Sequence, residues 1–260
     1  MTRQLPLSGK TIVVTRRKEQ AKEFSELLMQ KGANVLLFPA LEIVAPDSWR
    51  ECDVALDRLN SYSGIIFTSS NAVKYFLQRV SYRKQSAQLN NLALYAVGET
   101  TENEIKKSGF HAEQLPDTFS AQELAQAIAQ TSVRGKRFLF PRGNLSKNDI
   151  QAILTVNGAV VDDVVVYTTQ ELPLNNERRN MLSEIEQRAD LITFFSPSSV
   201  RHSMNYARNI FSLKNAAVIG ETTAAAARQE NLNVVLVAPR STAAAFADAI
   251  EKFYTKITEQ

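Results

Sequence analysis

A chain of 260 residues, 44% hydrophobic and 22% charged, can bury one large core or two modest ones and has the composition of an ordinary soluble globular protein. The net charge of +3 is slight and no Lys/Arg-rich block occurs, so a nucleic-acid role has no support. A lone Cys52 rules out an intramolecular disulfide framework, no apolar run approaches the ~20 residues of a membrane span, and the start lacks a signal-peptide core, so the cytoplasm is the expected location.

Strand patterns alternate with helical patterns throughout. A β-branched run at 11–15 leads into a helix at 19–31, ended by Gly32. A strand at 34–38 stops at Pro39, yet 41–44 continue in extended fashion; Asp47 or Ser48 then caps a helix through Leu59. Next come strand 64–68 with helix 71–80, strand 92–97 with helix 100–108, a short strand near Leu115, and helix 120–130. Strand 137–140 and helix 146–156 follow. The run 159–169 is long for one strand and reads as two extended pieces around Asp162-Asp163. The last section gives helix 175–188, strand 191–195, helix 198–207, strand 216–219, helix 222–229, strand 233–237 and helix 242–254.

The chain also repeats itself. Gly98-Glu99-Thr100-Thr101 behind an apolar run returns as Gly220-Glu221-Thr222-Thr223, each reading as strand, glycine turn and a helix opened by Thr. The strand entering Thr68-Ser69-Ser70-Asn71 is matched by the strand entering Ser196-Pro197-Ser198-Ser199, and Gly9-Lys10 by Gly135-Lys136. Leu115-Pro116 is matched by Ala238-Pro239. A duplicated α/β unit with a parallel, doubly wound sheet in each half explains this pattern, with hydroxyl-rich segments at the carboxyl ends of strands, where such sheets bind ligands. Helix N-termini there present free N–H groups and a positive dipole end, suited to anions. The long extended segments 36–44 and 160–170 suggest two strands crossing between the halves, which makes the first half discontinuous; a tandem split near residue 133 fits the pattern equally well.

Seven pieces, in order and at matching spacing, resemble the uroporphyrinogen-III synthase family over nearly the whole chain. They are Val13-Val14-Thr15-Arg16, Ile65 to Val73, Ala96 to Thr101, Phe140-Pro141-Arg142-Gly143-Asn144, Val165-Val166-Tyr167-Thr168-Thr169, Phe194 to Val200 and Ile219 to Ala224. The resemblance implies two similar α/β domains joined by a two-stranded linker: 1–38 with 171–260 as a discontinuous first domain, 40–165 as an inserted second, and linker strands near 36–44 and 160–170. It implies cyclisation of the linear tetrapyrrole hydroxymethylbilane to uroporphyrinogen III, with loss of water, inversion of ring D through a spiro intermediate, and no cofactor. The alternative from another class is a two-domain protein that captures an anionic small molecule without turnover.

A substrate with acetate and propionate arms on all four rings needs many anion-binding donors, so Ser69, Ser70, Asn71, Thr100, Thr101, Ser196, Ser198, Ser199, Thr222 and Thr223 form the candidate cradle; ordinary helix capping explains the same residues. Arg16 and Arg142 each follow the first strand of a half and could pair with a propionate. Tyr167, in its Val-Tyr-Xaa-Thr setting, matches the family's functional tyrosine and is the candidate proton donor to, or orienter of, the leaving hydroxyl. His111 and His202 stand far apart without partners at ligand spacing, so no metal site is expected. Neither a dinucleotide glycine fingerprint nor a hydrolase elbow is present. A monomer is expected, and the enzyme that supplies hydroxymethylbilane is the one protein partner the resemblance raises.

Overall fold

The computed structural model describes residues 5–113, 120–147 and 149–258; the expected short strand near Leu115 lies outside them. In chain order the elements are β1 (Thr11–Val14), α1 (Lys18–Gln30), β2 (Asn34–Leu37), β3 (Leu41–Val44), α2 (Arg50–Asp57), β4 (Gly64–Phe67) and α3 (Ser70–Tyr82). Then come β5 (Ala93–Ala96), α4 (Gly98–Lys107), α5 (Ala121–Ala129), β6 (Arg137–Gly143), α6 (Asp149–Val156) and β7 (Val160–Glu171). The chain closes with α7 (Asn176–Arg188), β8 (Leu191–Phe194), α8 (Pro197–Phe211), β9 (Asn215–Val218), α9 (Glu221–Gln229), β10 (Asn233–Val237) and α10 (Ala243–Thr258).

Two compact units result: Met1–Glu42 with Gln170–Gln260, and Ile43–Thr169. The chain leaves the first unit within β3 and returns within β7, and these two strands are neighbours in one sheet.

The sheet of the first unit runs β10-β9-β8-β1-β2, with every pair parallel. Its strands are apolar on both faces, as a sheet covered on both sides requires. Val13, Ile192, Phe194 and Val218 pack with Phe38 and Phe211 on one face. Ile12, Val14, Leu191 and Ala217 pack with Phe24 and Phe246 on the other. The Phe24 and Phe246 rings stack at 5.0 Å.

The sheet of the second unit runs β3-β7-β6-β4-β5, and β7, β6, β4 and β5 are parallel in turn. Ile65, Phe67, Leu139, Val164 and Val166 face Phe76 and Leu56, while Ile66, Phe138, Phe140 and Val161 face Leu124 and Ile128. The duplication is thus visible in strand order: β2-β1-β8-β9 in one unit corresponds to β7-β6-β4-β5 in the other. Both units are of the doubly wound, parallel α/β class.

Several local expectations need correction. The run after 159 is one strand, β7, with a single register shift where Arg142 pairs with Val165 and Gly143 with Tyr167. Asp162 and Asp163 do not break it because each is matched by arginine: Arg137 and Arg58 reach Asp162, and Arg142 reaches Asp163. β6 continues past residue 140 through Pro141 to Gly143. The pairing of β4 with β6 runs only from Gly64↔Phe138 to Ile65↔Leu139, so Pro141 stands where no ladder bond to β4 is forfeited.

The threonines do not open their helices. α4 begins at Gly98 and α9 at Glu221, neither with a side-chain cap, so Thr100, Thr101, Thr222 and Thr223 lie in the first turns. Gly98, at φ +73, makes the turn into α4, in a region where side chains are disfavoured. α2 starts later than expected, behind Trp49, with Ser48 Oγ accepting only from the Arg50 N–H at 3.2 Å. α6 also starts later, at Asp149, because Gly143 to Ser146 close a turn of their own: Ser146 N donates to Gly143 O and Gly143 N to Ser146 Oγ, each at 3.2 Å.

Candidate functional site

The candidate residues fall into two groups, one in each unit. In the second unit, β4 delivers the chain to Ser69, whose backbone is extended and whose Oγ accepts the Ala72 N–H at 3.2 Å, capping α3. The same Oγ lies 3.3 Å from the hydroxyl of Tyr167 on β7. Sequence-distant hydroxyls are thereby brought together at the carboxyl ends of β4, β6 and β7. Ser70 and Asn71 follow, half-buried in the first turn of α3.

Three features hold Tyr167. Gly143, its register partner on β6, leaves room for the ring: a Cβ there would stand 2.6 Å from Cε2 and 2.7 Å from the hydroxyl oxygen. The Tyr75 ring lies alongside at 6.1 Å, tilted 32°, and is itself tied down by a 3.0 Å hydrogen bond to Ile43 O. Asn144 extends the β6–β7 ladder beyond the strand. Its N–H donates to Tyr167 O at 3.2 Å, its Oδ1 accepts from Thr169 N at 2.9 Å and its Nδ2 donates to Thr169 O at 3.3 Å. Gly143, Asn144 and Tyr75 were not among the expected site residues. A glycine and an asparagine directly after a strand are a turn signal in sequence, and nothing in one chain says which ring will lie across the glycine.

Arg142 is half-buried and already engaged: Nε donates to Asp163 Oδ2 at 2.6 Å and Nη1 to Gly143 O at 3.1 Å. Thr101 is only 3% exposed, which turns its hydroxyl into the unit, whereas Thr100 is exposed. With no side-chain cap on α4, the N–H groups of its first turn are its free donors.

In the first unit, Ser196 caps α8 through a box: its Oγ accepts from Ser199 N at 3.1 Å, and Ser199 Oγ accepts from Ser196 N at 3.2 Å. Ser196 Oγ also lies 3.0 Å from Ser198 Oγ, so the three serines form one cluster. Ser199 is 8% exposed and its hydroxyl donates back to Ser196 O at 2.8 Å, which leaves it no free donor. Thr223 is buried at 3%; Thr222 is exposed beside the uncapped start of α9. Arg16, just past β1, lays its guanidinium over the Phe195 ring at 4.7 Å. Burial draws its pKa below the ordinary arginine value, with the charge of Glu23 opposing, and it makes no ion pair among the described residues.

Chemically, each unit offers alcohol donors and uncapped helix ends at the carboxyl edge of a parallel sheet, and only the second adds a phenol. Among the described residues no group of three or more His, Cys, Asp or Glu side chains could hold a metal ion, and no helix is long and apolar enough to cross a membrane.

A family model described as uroporphyrinogen-III synthase HemD matches residues 22–248. A uroporphyrinogen-III synthase of Chlorobaculum parvum is 30% identical over 246 residues, covering 93% of this chain and 98% of that protein. One from Synechococcus elongatus is 32% identical over 198 residues, 76% of this chain and 74% of that protein. The crystal structure of uroporphyrinogen-III synthetase from Helicobacter pylori superposes with a TM-score of 0.65 at 18% identity, covering 94% of this chain and 99% of that one. A mutant uroporphyrinogen III synthase from Thermus thermophilus gives 0.59 at 13%, covering 96% and 100%. These structures share the fold. The match of the family model and the relative matched over nearly its full length carry the assignment: the chain belongs to the uroporphyrinogen-III synthase family.

Proposed function

We propose that the chain cyclises hydroxymethylbilane to uroporphyrinogen III, with Tyr167 at the departing hydroxyl. Family membership places it among the cyclising hydro-lyases of porphyrin and haem biosynthesis. In the reaction the C–O bond of the terminal hydroxymethyl group breaks while the pyrrole nitrogen supplies electron density to the carbon. The oxygen takes up a proton and leaves as water. The intrinsic demand on the protein is therefore modest, and a phenol within hydrogen-bond reach of that oxygen suffices as donor or orienter. The observation that carries this role is the Tyr167 hydroxyl, held 3.3 Å from Ser69 Oγ at the carboxyl edge of the second sheet.

The carboxylate arms are assigned to the uncapped N-terminus of α4 with Thr100, to Ser70 and Asn71, and in the other unit to Arg16, Ser196, Ser198 and the start of α9 with Thr222; Ser69 serves the Tyr167 hydroxyl. Thr101 acts through its backbone N–H, because its hydroxyl is buried; Ser199 and Thr223, whose N–H groups already donate to Ser196 Oγ and Gly220 O, shape the helix starts instead. Arg142 contributes through Asp163 to the shape of the β6–β7 edge rather than as a free cation. The inserted domain is taken as the second unit, and the protein as a cytoplasmic monomer. The enzyme that makes hydroxymethylbilane is a transient partner at most.

The test supplies freshly made hydroxymethylbilane and separates type III from type I uroporphyrinogen. Wild type should yield type III. Tyr167→Phe should lower turnover by about a hundredfold, within the range typical of lost acid catalysis, with a melting temperature within about 3 °C of wild type. Only the spontaneous type I product from the wild-type protein overturns the activity, and unchanged turnover in Tyr167→Phe overturns the role of the phenol.

A further inference from the structure

The structure assigns to Gly143 and Ser69 the positioning of the Tyr167 hydroxyl: Gly143 by having no side chain where the ring must lie, Ser69 by fixing the direction of the phenolic O–H. This rests on the reading of Tyr167 given above and deepens it.

Gly143 has no positive φ to account for it. It is the last residue of a strand, buried and paired in register with Tyr167. The three nearest neighbours of a Cβ built on it all belong to one side chain: Cζ, Cε2 and the hydroxyl oxygen of Tyr167. The tyrosine ring therefore lies flat across the glycine, with its reactive end over the Cα. A single methyl group here cannot be absorbed by a flexible chain end. The Tyr75 ring also lies beside that of Tyr167 at 6.1 Å, and Tyr75 is anchored to Ile43 O. The backbone beneath is fixed at Asn144 by reciprocal bonds to Thr169. An alanine at 143 must push the phenol out of place.

Ser69 settles direction. Its Oγ already accepts the Ala72 N–H. A hydroxyl has one proton and two lone pairs, so it can still donate its proton to Tyr167 Oη. Tyr167 is then free to point its own proton outward to a ligand oxygen, and the two bonds polarise in the same sense. Without Ser69 Oγ the phenol loses the partner that keeps its lone pair occupied and its proton turned away from the protein. Neither residue touches a reacting atom in this scheme; both act through Tyr167.

The experiment is a double-mutant cycle read in turnover and in stability. Gly143→Ala should reduce kcat by about tenfold or more while KM changes less than about twofold, because only a transition-state contact is displaced. In the Tyr167→Phe background the same substitution should leave kcat within about twofold, since there is no hydroxyl left to misplace. Ser69→Gly, which removes the hydroxyl but keeps most of the capping preference, should lower kcat by about threefold or more and likewise lose its effect in Tyr167→Phe. The stability arm needs no catalysis: Gly143→Ala should lower the melting temperature in wild type and leave it unchanged in Tyr167→Ala, where the clash is gone. Equal kcat losses in both backgrounds, or an unchanged kcat in Gly143→Ala, overturn the inference. If Tyr167→Phe keeps full turnover, the catalytic reading of the phenol fails and the positioning role fails with it. A melting-temperature cost that persists in Tyr167→Ala instead refutes the contact itself, so the two failures are told apart.

Discussion

Ser196 separates capping from substrate binding, because the two roles respond oppositely to one substitution. Its Oγ accepts the Ser199 N–H at 3.1 Å and so satisfies one of the orphan donors at the start of a fifteen-residue helix. Removing it as Ser196→Ala should cost about 1 kcal/mol, the usual value of such a cap. For a unit of this size that is a fall of roughly 2–4 °C in melting temperature. Ser196→Asp keeps the cap, since aspartate is as good an N-cap as serine and its charge suits the positive helix end. Stability should therefore stay at or above wild type. The same charge now sits where a substrate carboxylate is proposed to bind. Two unit charges ~5 Å apart repel by about 0.8 kcal/mol in bulk water and about 3 kcal/mol at an effective dielectric of 20. Salt draws the value toward the lower end at an accessible helix end. KM should rise roughly fivefold at physiological salt and more in dilute buffer, with kcat little changed. Steady-state kinetics with hydroxymethylbilane at two ionic strengths, beside thermal melts of both variants, make the comparison. A Ser196→Asp protein with wild-type KM at low salt refutes the assignment and leaves Ser196 a cap alone.

Two further predictions concern the second unit. Asp162 and Asp53 are both held below the usual carboxylate range. At Asp162 burial pushes the other way but is outweighed by the hydrogen bonds from Tyr62 and Arg137 and the charges of Arg137 and Arg58; at Asp53 the hydrogen bond from Arg79 dominates over burial. A depressed folded pKa gives stability that is present above the unfolded value of about 4 and is lost as pH falls through the folded one. Melting temperature should be level above about pH 5 and fall below about pH 4, and Asp162→Asn should be less stable at pH 7 with a shallower acid fall; identical acid slopes in variant and wild type would count against the linkage. Cys52 is 1% exposed, and burial, aided by the charge of Asp53, pushes its thiol up to about 12. A thiol reagent at pH 8 should leave the folded protein unlabelled and label it fully in denaturant; rapid labelling of the native protein contradicts that placement.

Strands were legible in the sequence as short apolar runs bounded by turn residues. β3 and β10 occupy the residues expected, and β1, β2, β4, β5, β8 and β9 differ only at their ends. The helices were legible where a hydroxyl or amide side chain does cap them, at Ser69, Ser120, Asn175 and Ser196. Two of the misreadings share one cause, a partner distant in sequence that overrides a local signal, and a third is local. Adjacent aspartates look like a break, until arginines on β6 and behind α2 neutralise them. The expected strand ends before Pro141, yet β6 runs on because its pairing with β4 stops at Ile65↔Leu139 while its pairing with β7 continues. Gly-Glu-Thr-Thr looks like a capped start, yet its glycine turns the chain in one copy with φ +73 and in the other with an extended backbone. At the candidate site the sequence pointed to Ser69 and Tyr167 separately. That they meet, and that Gly143 makes the meeting sterically allowed, depends on the register of β6 on β7.

The two arginines show how the duplicated scaffold diverges chemically. Val13 pairs with Leu36 on β1 and β2, and Leu139 with Asp162 on β6 and β7, at the same separation along the chain. By that correspondence Arg16 and Arg142 occupy the same position in their sheets, and sequence alone gave them one role. Their neighbours differ. The strand beside Arg142 carries Asp163, which takes its Nε at 2.6 Å; the corresponding residue beside Arg16 is Leu37, which offers no charge. Arg16 instead rests on the face of Phe195, and burial draws its pKa down without a carboxylate in contact to hold it up. Guanidinium remains charged even so, because its pKa lies far above neutrality. A cation partly stripped of water and lacking a carboxylate partner gains most from a carboxylate brought by a ligand, while an arginine already bonded to aspartate gains least, since the new contact must displace the old. Of the pair, Arg16 is therefore the one suited to a propionate arm. Arg142, locked to Asp163 and donating to Gly143 O, keeps in place the strand end over which the Tyr167 ring lies.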